Sequence, residues 1–192
     1  MEPLAASEQP PRRPSEFSAG DVQDILEARG WLAAGQQEGP AAAGDVAAER
    51  GRWFVEAAQL LGAQAADRPS LERLLEEVFH YDARENMGRA ENQAVMARED
   101  AKRVLRELAA LVLDSAQVDS DRYKEIITAL KEHTGRRGQQ LFHPVRLALA
   151  GRAGEGEHDR VILLLDRAAR LPWSAGVKGC RQRILEFCGS ID

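Results

Sequence analysis

The stretch "TGRRGQQLFHPVRLALAGR", residues 134 to 152, carries four arginines and no carboxylate in a chain whose formal net charge is −5. Gly135 and Gly138 predict the end of one helix and a turn whose backbone angles favour glycine. Pro144 suits the first turn of the helix that follows, with the residue before it as a candidate cap. That second helix is expected to stop near Gly151. The stretch therefore predicts two helices joined by a glycine turn, with arginines displayed around them.

On both sides of this stretch, apolar residues recur at the three- and four-residue intervals of a half-buried helix. The clearest run is "SLERLLEEVFHYD", residues 70 to 82, for which Ser70 is the candidate N-cap. No run alternates in the way that a half-buried strand does. We therefore predict an all-α fold, a compact multi-helix bundle. Other runs with the helical period cover residues 52–65, 99–115, 121–133, 158–171 and 177–188.

The first fifty residues differ in composition from the rest. Residues 1–16 are rich in Pro, Ser, Glu and Arg and predict a disordered tail. Ser18 and Asp21 have the spacing of a capping box, which predicts a short helix ending near Gly30. Residues 33–50, mostly Ala, Gly, Gln and Glu, fit either a loose linker or a weak helix. The predicted organisation is a tail over 1–16, a short helix and Ala/Gly-rich linker over 17–50, and a helical domain over 51–192.

The sequence contains none of the short motifs that mark common catalytic sites. It has no phosphate-binding glycine loop, dinucleotide fingerprint, paired-histidine metal helix or serine elbow. His80, His133 and the other two histidines are scattered, and Cys180 and Cys188 fit reduced thiols on one helix face. We therefore expect no enzyme activity, no metal and no cofactor. An export signal and a membrane span are also lacking, so we expect a cytoplasmic protein with no membrane partner.

Charge is distributed unevenly along the chain. Residues 124–192 carry twelve Lys and Arg against eight Asp and Glu, whereas residues 1–123 carry fourteen against twenty-three. A basic C-terminal third fits an anionic partner at that end of the molecule. The same asymmetry also fits ordinary solvated helix faces, so charge alone leaves both interpretations open.

The arginine stretch is similar to a segment of bacterial glutamyl-tRNA synthetases that commonly reads TGRKGKxLFxPLRxALTGR, inside their C-terminal anticodon-binding domain. "VFHYDA", residues 78–83, resembles the aromatic-Tyr-Asp start of that domain, and the helices come in the family's order over roughly residues 53–170. The resemblance implies the helical cage of that domain, and tRNA or another structured RNA as partner. The positions that match in register are Thr134, Gly135, Arg136, Gly138, Leu141, Phe142, Pro144, Arg146, Ala148, Leu149, Gly151 and Arg152.

The resemblance also implies which residues contact RNA. In the related synthetases the arginine at the position of Arg146 lies at the anticodon-binding surface, so Arg146 is the first candidate. Its planar, permanently charged fork suits phosphate or base-edge recognition better than a lysine does. Arg136, Arg137 and Arg152 are weaker candidates for backbone phosphates. The alternative for Arg146 is a structural role, paired with a carboxylate or a helix end.

Two departures from the family pattern and the missing catalytic signatures leave three functions open. Ala150 replaces the family's threonine, and Gly156 replaces a proline in a turn beside the anticodon, which puts base-specific recognition in doubt. The HIGH-like and KMSKS-like signatures of the synthetases are absent from these 192 residues, so we expect no tRNA charging by this chain alone. The favoured function is non-catalytic tRNA binding by a stand-alone domain. The alternatives are a protein–protein interaction module that lost RNA binding, and the anticodon-binding part of a split synthetase that works with a separate catalytic chain.

Overall fold

A computed structural model describes residues 16–32, 40–115, 118–153 and 158–191, with the backbone alone for residues 40–43 and 158–160. Nearly all of the predicted tail lies outside these ranges. Within them, β-type pairing is limited to one isolated bridge between Leu32 and Trp173, which confirms the all-α prediction. The helices are α1 Ala19–Ala28, α2 Pro40–Leu60, α3 Arg68–Phe79, α4 Ala83–Gly88, α5 Ala90–Met96, α6 Glu99–Leu113, α7 Ser120–Thr134, α8 Gln139–Ala150, α9 His158–Ala168 and α10 Cys180–Gly189, with a short 3-10 helix, Gly62–Gln64, after α2.

Side-chain caps begin α1 and α3, and the cap of α3 differs from the sequence prediction. The capping box at α1 is present: Ser18 Oγ accepts from the Asp21 N–H at 3.2 Å, and the Asp21 carboxylate accepts from the Ser18 N–H at 2.8 Å. The prediction that Ser70 caps α3 is wrong. The cap is Asp67, whose carboxylate accepts from the Ser70 N–H at 2.8 Å. A carboxylate there also complements the positive end of the helix dipole.

The core is organised around α6, which packs against α5, α7, α8 and α10. Its buried stripe follows the helical period that the sequence shows, and these side chains lie in one continuous cluster with those of the other helices. Burying such side chains contributes roughly 1.5–3 kcal/mol for each large aliphatic group. The buried residues of α6 are Ala101, Val104, Leu105, Leu108 and Val112.

The N-terminal segment and the stretch after α9 close the other side of the core. Val22, Ile25 and Leu26 of α1 are buried in the same cluster. Trp173 packs with its ring centroid 5.1 Å from that of Trp53 and donates from Nε1 to a backbone carbonyl at 2.7 Å. Trp173 is therefore part of the packing.

The predicted domain boundary at residue 51 falls inside α2, which is helical from Pro40 to Leu60. Residues 40–50 are therefore helical, which is the second of the two alternatives left open by the sequence. Residues 33–39 lie outside the described ranges, and the division into domains stays a prediction.

The glycine turn of the arginine stretch has the predicted geometry. Gly135 ends α7 with φ 67°, and Gly138 precedes α8 with φ 54°. Gly151 ends α8 with φ 74°. The prediction that Pro144 lies in the first turn of α8, with His143 as its cap, is wrong. The turn is already complete at Gly138, which is the N-cap, so Pro144 lies inside the helix, where it removes one backbone hydrogen bond.

Candidate nucleic-acid interface

Helix α8 separates the four candidate arginines into two groups. Arg136 and Arg137 lie in the turn before it, Arg146 lies within it, and Arg152 follows its C-terminus. A helix of 12 residues is about 18 Å long at about 1.5 Å per residue. The structure therefore places one pair near each end of α8 and does not gather all four into one patch.

The first pair lies beside the N-terminus of α8. Arg136 donates from Nη2 to the Asp100 carboxylate in the first turn of α6, and that contact holds its side chain in place. Arg137 is exposed, and in the described ranges no carboxylate pairs with it. Gly138 caps α8 without a side-chain hydrogen bond. Arg137 and the N-terminal N–H groups of α8 therefore favour an anion at this corner, whereas Asp100 offsets the charge of Arg136.

Arg146 is held over an aromatic ring. Its guanidinium lies 5.9 Å from the ring centroid of Phe142, one helical turn earlier in α8, and Lys131 Nζ lies 5.7 Å from the same centroid. Arg146 is half-buried, and its Nε is fully buried. Cation–π contact and burial together restrict the rotamers of this side chain.

Arg146 also lines a small cleft between α3, α8 and α9, together with Arg152 and Glu77. The cleft has a volume of about 50 Å³, room for a few water molecules at most. It does not admit a nucleobase unless its walls move. A ligand larger than a few water molecules would therefore reach Arg146 only at the rim of the cleft. The apolar walls are Leu61, Leu74, Val78, Leu149, Val161, Ile162 and Leu165.

Arg152, the other arginine near the C-terminal end of α8, forms an ion pair. Arg152 Nε lies 2.9 Å from Glu77 Oε2 on α3. Burial raises the pKa of the Glu77 carboxyl above its ordinary value of 4.5, although the positive charges of Arg152, Arg89 and Arg183 lower it. Glu77 therefore partly neutralises Arg152 while its own charged form is disfavoured by the surroundings.

The raised pKa predicts how Glu77 affects stability. A carboxyl with a higher pKa in the folded than in the unfolded protein keeps its proton to higher pH when folded. Its contribution therefore falls as pH rises through the window between the two pKa values and is least favourable above both. The quantity to compare is the free energy of unfolding of the wild type minus that of Glu77→Gln. We expect this difference to fall as pH rises from about 4 to about 7. Urea unfolding of both proteins across that range checks this, and a difference that grows with pH would contradict it.

A buried polar contact fixes the turn that precedes Arg152. Asn92 donates from Nδ2 to the Asn86 carbonyl at 2.7 Å and to the Gly151 carbonyl at 2.8 Å. The Asn86 side chain lies directly against Gly151, where an added Cβ would come within 2.5 Å of it. The C-terminus of α8 is therefore tied to the α4–α5 corner.

Arg183 of α10 links three parts of the structure. It is 1 % exposed, and its guanidinium carbon lies 4.6 Å from the ring centroid of Tyr81. Burial lowers the pKa of Arg183 to about 10, so it stays charged at neutral pH. Its N–H groups tie the C-terminal ends of α3 and α8 to the start of α10. The acceptors are the carbonyls of Glu77 at 3.1 Å, Val78 at 2.6 Å, Leu149 at 3.0 Å and Lys178 at 2.8 Å.

The described histidine side chains take part in surface polar contacts. His133 pairs with Glu107, and His143 lies 3.4 Å from an arginine nitrogen of Arg98. The side chain of His158 lies outside the described ranges. Among the residues that the structure describes, no three or more His, Cys, Asp or Glu side chains come together as a metal site would need. None of the described helices is both long and apolar enough to cross a membrane.

Sequence reasoning missed the carboxylates that pair with two of the arginines. Glu77 and Asp100 are distant in sequence from Arg152 and Arg136, so no local pattern indicates these pairs. The contact between Phe142 and Arg146 did have a signal, since aromatic and cationic residues four apart meet on a helix face.

Comparison with known proteins agrees with this architecture. A family described as "Anticodon binding domain" matches residues 41–168. Over 72 residues the chain is 39% identical to "Glutamate--tRNA ligase 2" of Syntrophus aciditrophicus, a match that covers 38% of this chain and 15% of that protein. It is 41% identical over 68 residues to "Glutamate--tRNA ligase 1" of Maricaulis maris, covering 35% of this chain and 15% of the relative.

These matches confirm the resemblance seen in the arginine stretch. The chain spans about 15% of the length of the curated relatives it matches, so the likeness concerns one domain of those proteins. The all-α architecture and the family match over residues 41–168 agree. The chain belongs to the anticodon-binding domain family and resembles the C-terminal anticodon-binding domain of the glutamate–tRNA ligases.

Proposed function

We propose that this protein binds tRNA through the rim of the cleft at Arg146, without catalysing a reaction itself. The observation that supports this most directly is the setting of Arg146. Its side chain is already restricted by the Phe142 ring and by burial, so little rotamer entropy is lost when its fork meets a phosphate or a base edge. Family membership over residues 41–168 supports RNA as the ligand.

The other arginines take different parts in this proposal. Arg137 and the N-terminus of α8 supply a site for a backbone phosphate near the far end of the helix. Arg136 and Arg152 contact phosphate only in exchange for Asp100 and Glu77. We therefore propose Arg146, which the Phe142 ring holds in place, and the exposed Arg137 as the main contacts, with Arg136 and Arg152 as secondary ones. The resulting dependence on salt is modest, since a log–log slope of about −2 corresponds to two to three neutralised phosphates.

The test is a titration of labelled glutamate tRNA with the wild type, Arg146→Ala and Arg146→Lys. The alanine variant is expected to weaken binding by about fivefold or more, because each specific arginine contact contributes about 1–3 kcal/mol. The lysine variant keeps the charge but loses the fork, so it should recover only part of the affinity.

Arg73→Ala is the matched control, because Arg73 is an exposed arginine on α3 outside the α8 segment. It should change the dissociation constant by less than the Arg146 variants do. Circular dichroism establishes that each variant is folded. Equal affinities of the wild type and a folded Arg146→Ala would refute the role proposed for Arg146.

Two other functions stay open as proposals. The matched relatives are named as ligases, which favours a chain that supplies tRNA binding to a separately encoded catalytic chain. In that case a catalytic chain should co-purify with this protein. The carboxylates that already pair with Arg136 and Arg152 favour an interaction module that has lost RNA binding. It would bind a protein partner but no RNA. The cytoplasmic location stays a prediction.

A further inference from the structure

A second cleft lies between α2 and the C-terminal end of α9, and no residue of α8 lines it. We call it the α2–α9 cleft. Its volume is about 280 Å³, several times that of the cleft at Arg146. It is open to solvent and has a predominantly polar lining. The residues that line it are Glu49, Arg52, Trp53, Arg167, Arg170 and Leu171.

Three guanidinium groups and one carboxylate line this cleft. Arg52 lies 3.6 Å from Glu49, but both side chains are more than 60% exposed, and such a pair contributes little. Arg167 lies 2.8 Å from Glu56, which is mostly buried. Within the described ranges the Arg170 guanidinium has no hydrogen bond or ion pair within contact distance, although Asp166 of α9 lies near enough to feel its charge. The lining therefore keeps a net positive charge in a protein whose formal charge is −5.

Arg170 extends this charge beyond the cleft. It also lines a neighbouring cleft of about 250 Å³ together with Arg181 and Asp166. Arg181 is fixed by a hydrogen bond from Nε to the Ser115 carbonyl at 2.8 Å. Arg170 therefore stands between two concave surfaces, each with a further arginine on its wall.

The floor of the α2–α9 cleft is rigid. Trp53 is 1 % exposed and donates from Nε1 to the Leu164 carbonyl at 2.9 Å. A buried ring offers no face on which a base could stack, whereas exposed aromatic rings are what single-stranded RNA stacks upon. The chemistry of the cleft therefore suits a phosphate group, since arginine forks match phosphate oxygens.

We propose that the α2–α9 cleft is a second phosphate-binding site, which holds the RNA backbone through Arg170 and Arg52 and is separate from the α8 segment. This inference rests on the proposed function for its ligand. Contacts of this kind position an RNA and read no sequence. Arg170 is the main contact because no described carboxylate pairs with it, and Arg52 follows because its partner Glu49 is exposed.

The first test measures the affinity for tRNA of the wild type, Arg170→Gln and the double variant Arg52→Gln/Arg170→Gln at several salt concentrations. Each lost phosphate contact should reduce the log–log salt slope by about 1. We expect the single variant to bind about fivefold more weakly, and the double variant more weakly still, for glutamate tRNA and unrelated tRNA alike. Arg73→Gln removes an equal charge elsewhere and should leave the slope closer to that of the wild type. If the wild type binds RNA and the Arg170 variants keep its slope, the proposal is overturned.

The second test uses inorganic pyrophosphate on the full chain, so it does not depend on RNA binding. Side-chain Nε–Hε signals of the arginines are followed by nuclear magnetic resonance and assigned with the Arg170 and Arg52 variants. Saturable shifts at Arg170 and Arg52, but not at Arg73, would support a phosphate site even if the protein binds no RNA, and only the proposed function would then fail. No RNA binding together with no shift at Arg170 would overturn both proposals.

Discussion

Replacing Arg183 by methionine is expected to lower the free energy of unfolding by about 3–5 kcal/mol, among the largest effects of any single substitution in this protein. The guanidinium donates hydrogen bonds to four backbone carbonyls, those of Glu77, Val78, Leu149 and Lys178. Methionine fills much of the same volume but leaves these buried carbonyls without hydrogen-bond donors. A buried acceptor that has lost its donor is destabilising, because it has also given up its hydrogen bonds to water. The contact with the Tyr81 ring is lost as well.

Urea unfolding of the wild type, Arg183→Met and Arg183→Lys measures this loss. Lysine restores the charge but cannot direct donors to all four carbonyls, so its stability should fall between those of the other two proteins. Arg181→Met is the control, because Arg181 is partly exposed and donates to a single carbonyl, that of Ser115. A loss for Arg183→Met no greater than for Arg181→Met would show that Arg183 does not hold α3, α8 and α10 together.

Gly151→Ala is expected to cost about 2–5 kcal/mol. The left-handed backbone at this position, with φ 74°, costs a residue with a Cβ about 1–2 kcal/mol. A Cβ would also come within 2.5 Å of the Asn86 side chain, and overpacking a filled site costs about 1–3 kcal/mol. Since Asn92 holds the Gly151 carbonyl in place, the turn cannot move freely to relieve the contact.

Gly135→Ala separates these two causes. Gly135 has nearly the same backbone angle, φ 67°, but nothing lies within 4 Å of the position that a Cβ would take. Gly135→Ala should therefore lower the free energy of unfolding only through the strained backbone angle, by about 1–2 kcal/mol. Combining Gly151→Ala with Asn86→Ala should cost less than the sum of the single changes, because the clash is removed. Equal losses at Gly151 and Gly135 would contradict the role given to Asn86.

Periodic features of the sequence predicted most of the fold. The stripe of α6 and the glycine turn between α7 and α8 depend on neighbouring residues, so a local pattern was enough to find them. The starts of α3 and α8 were predicted too late. Asp67 caps α3 three residues before Ser70, and Gly138 begins α8 well before Pro144. In both cases a residue just upstream competes with the expected signal.

The candidate site was predictable only in part. The resemblance of residues 134–152 to the synthetase segment pointed to Arg146, but several of the groups around the C-terminal end of α8 come from elsewhere in the chain. Glu77 and Arg183 reach the C-terminal end of α8 from α3 and α10, and a sequence pattern does not show such contacts. The α2–α9 cleft was missed for the same reason, since its arginines meet only when two distant helices pack.

Binding of tRNA by this domain is tested by titrating the wild-type protein against glutamate tRNA and an unrelated tRNA at about 50 and about 200 mM salt. We expect binding at the lower salt that weakens measurably at the higher salt. Absence of binding to either tRNA at the lower salt, by a protein that circular dichroism shows to be folded and helical, would contradict it.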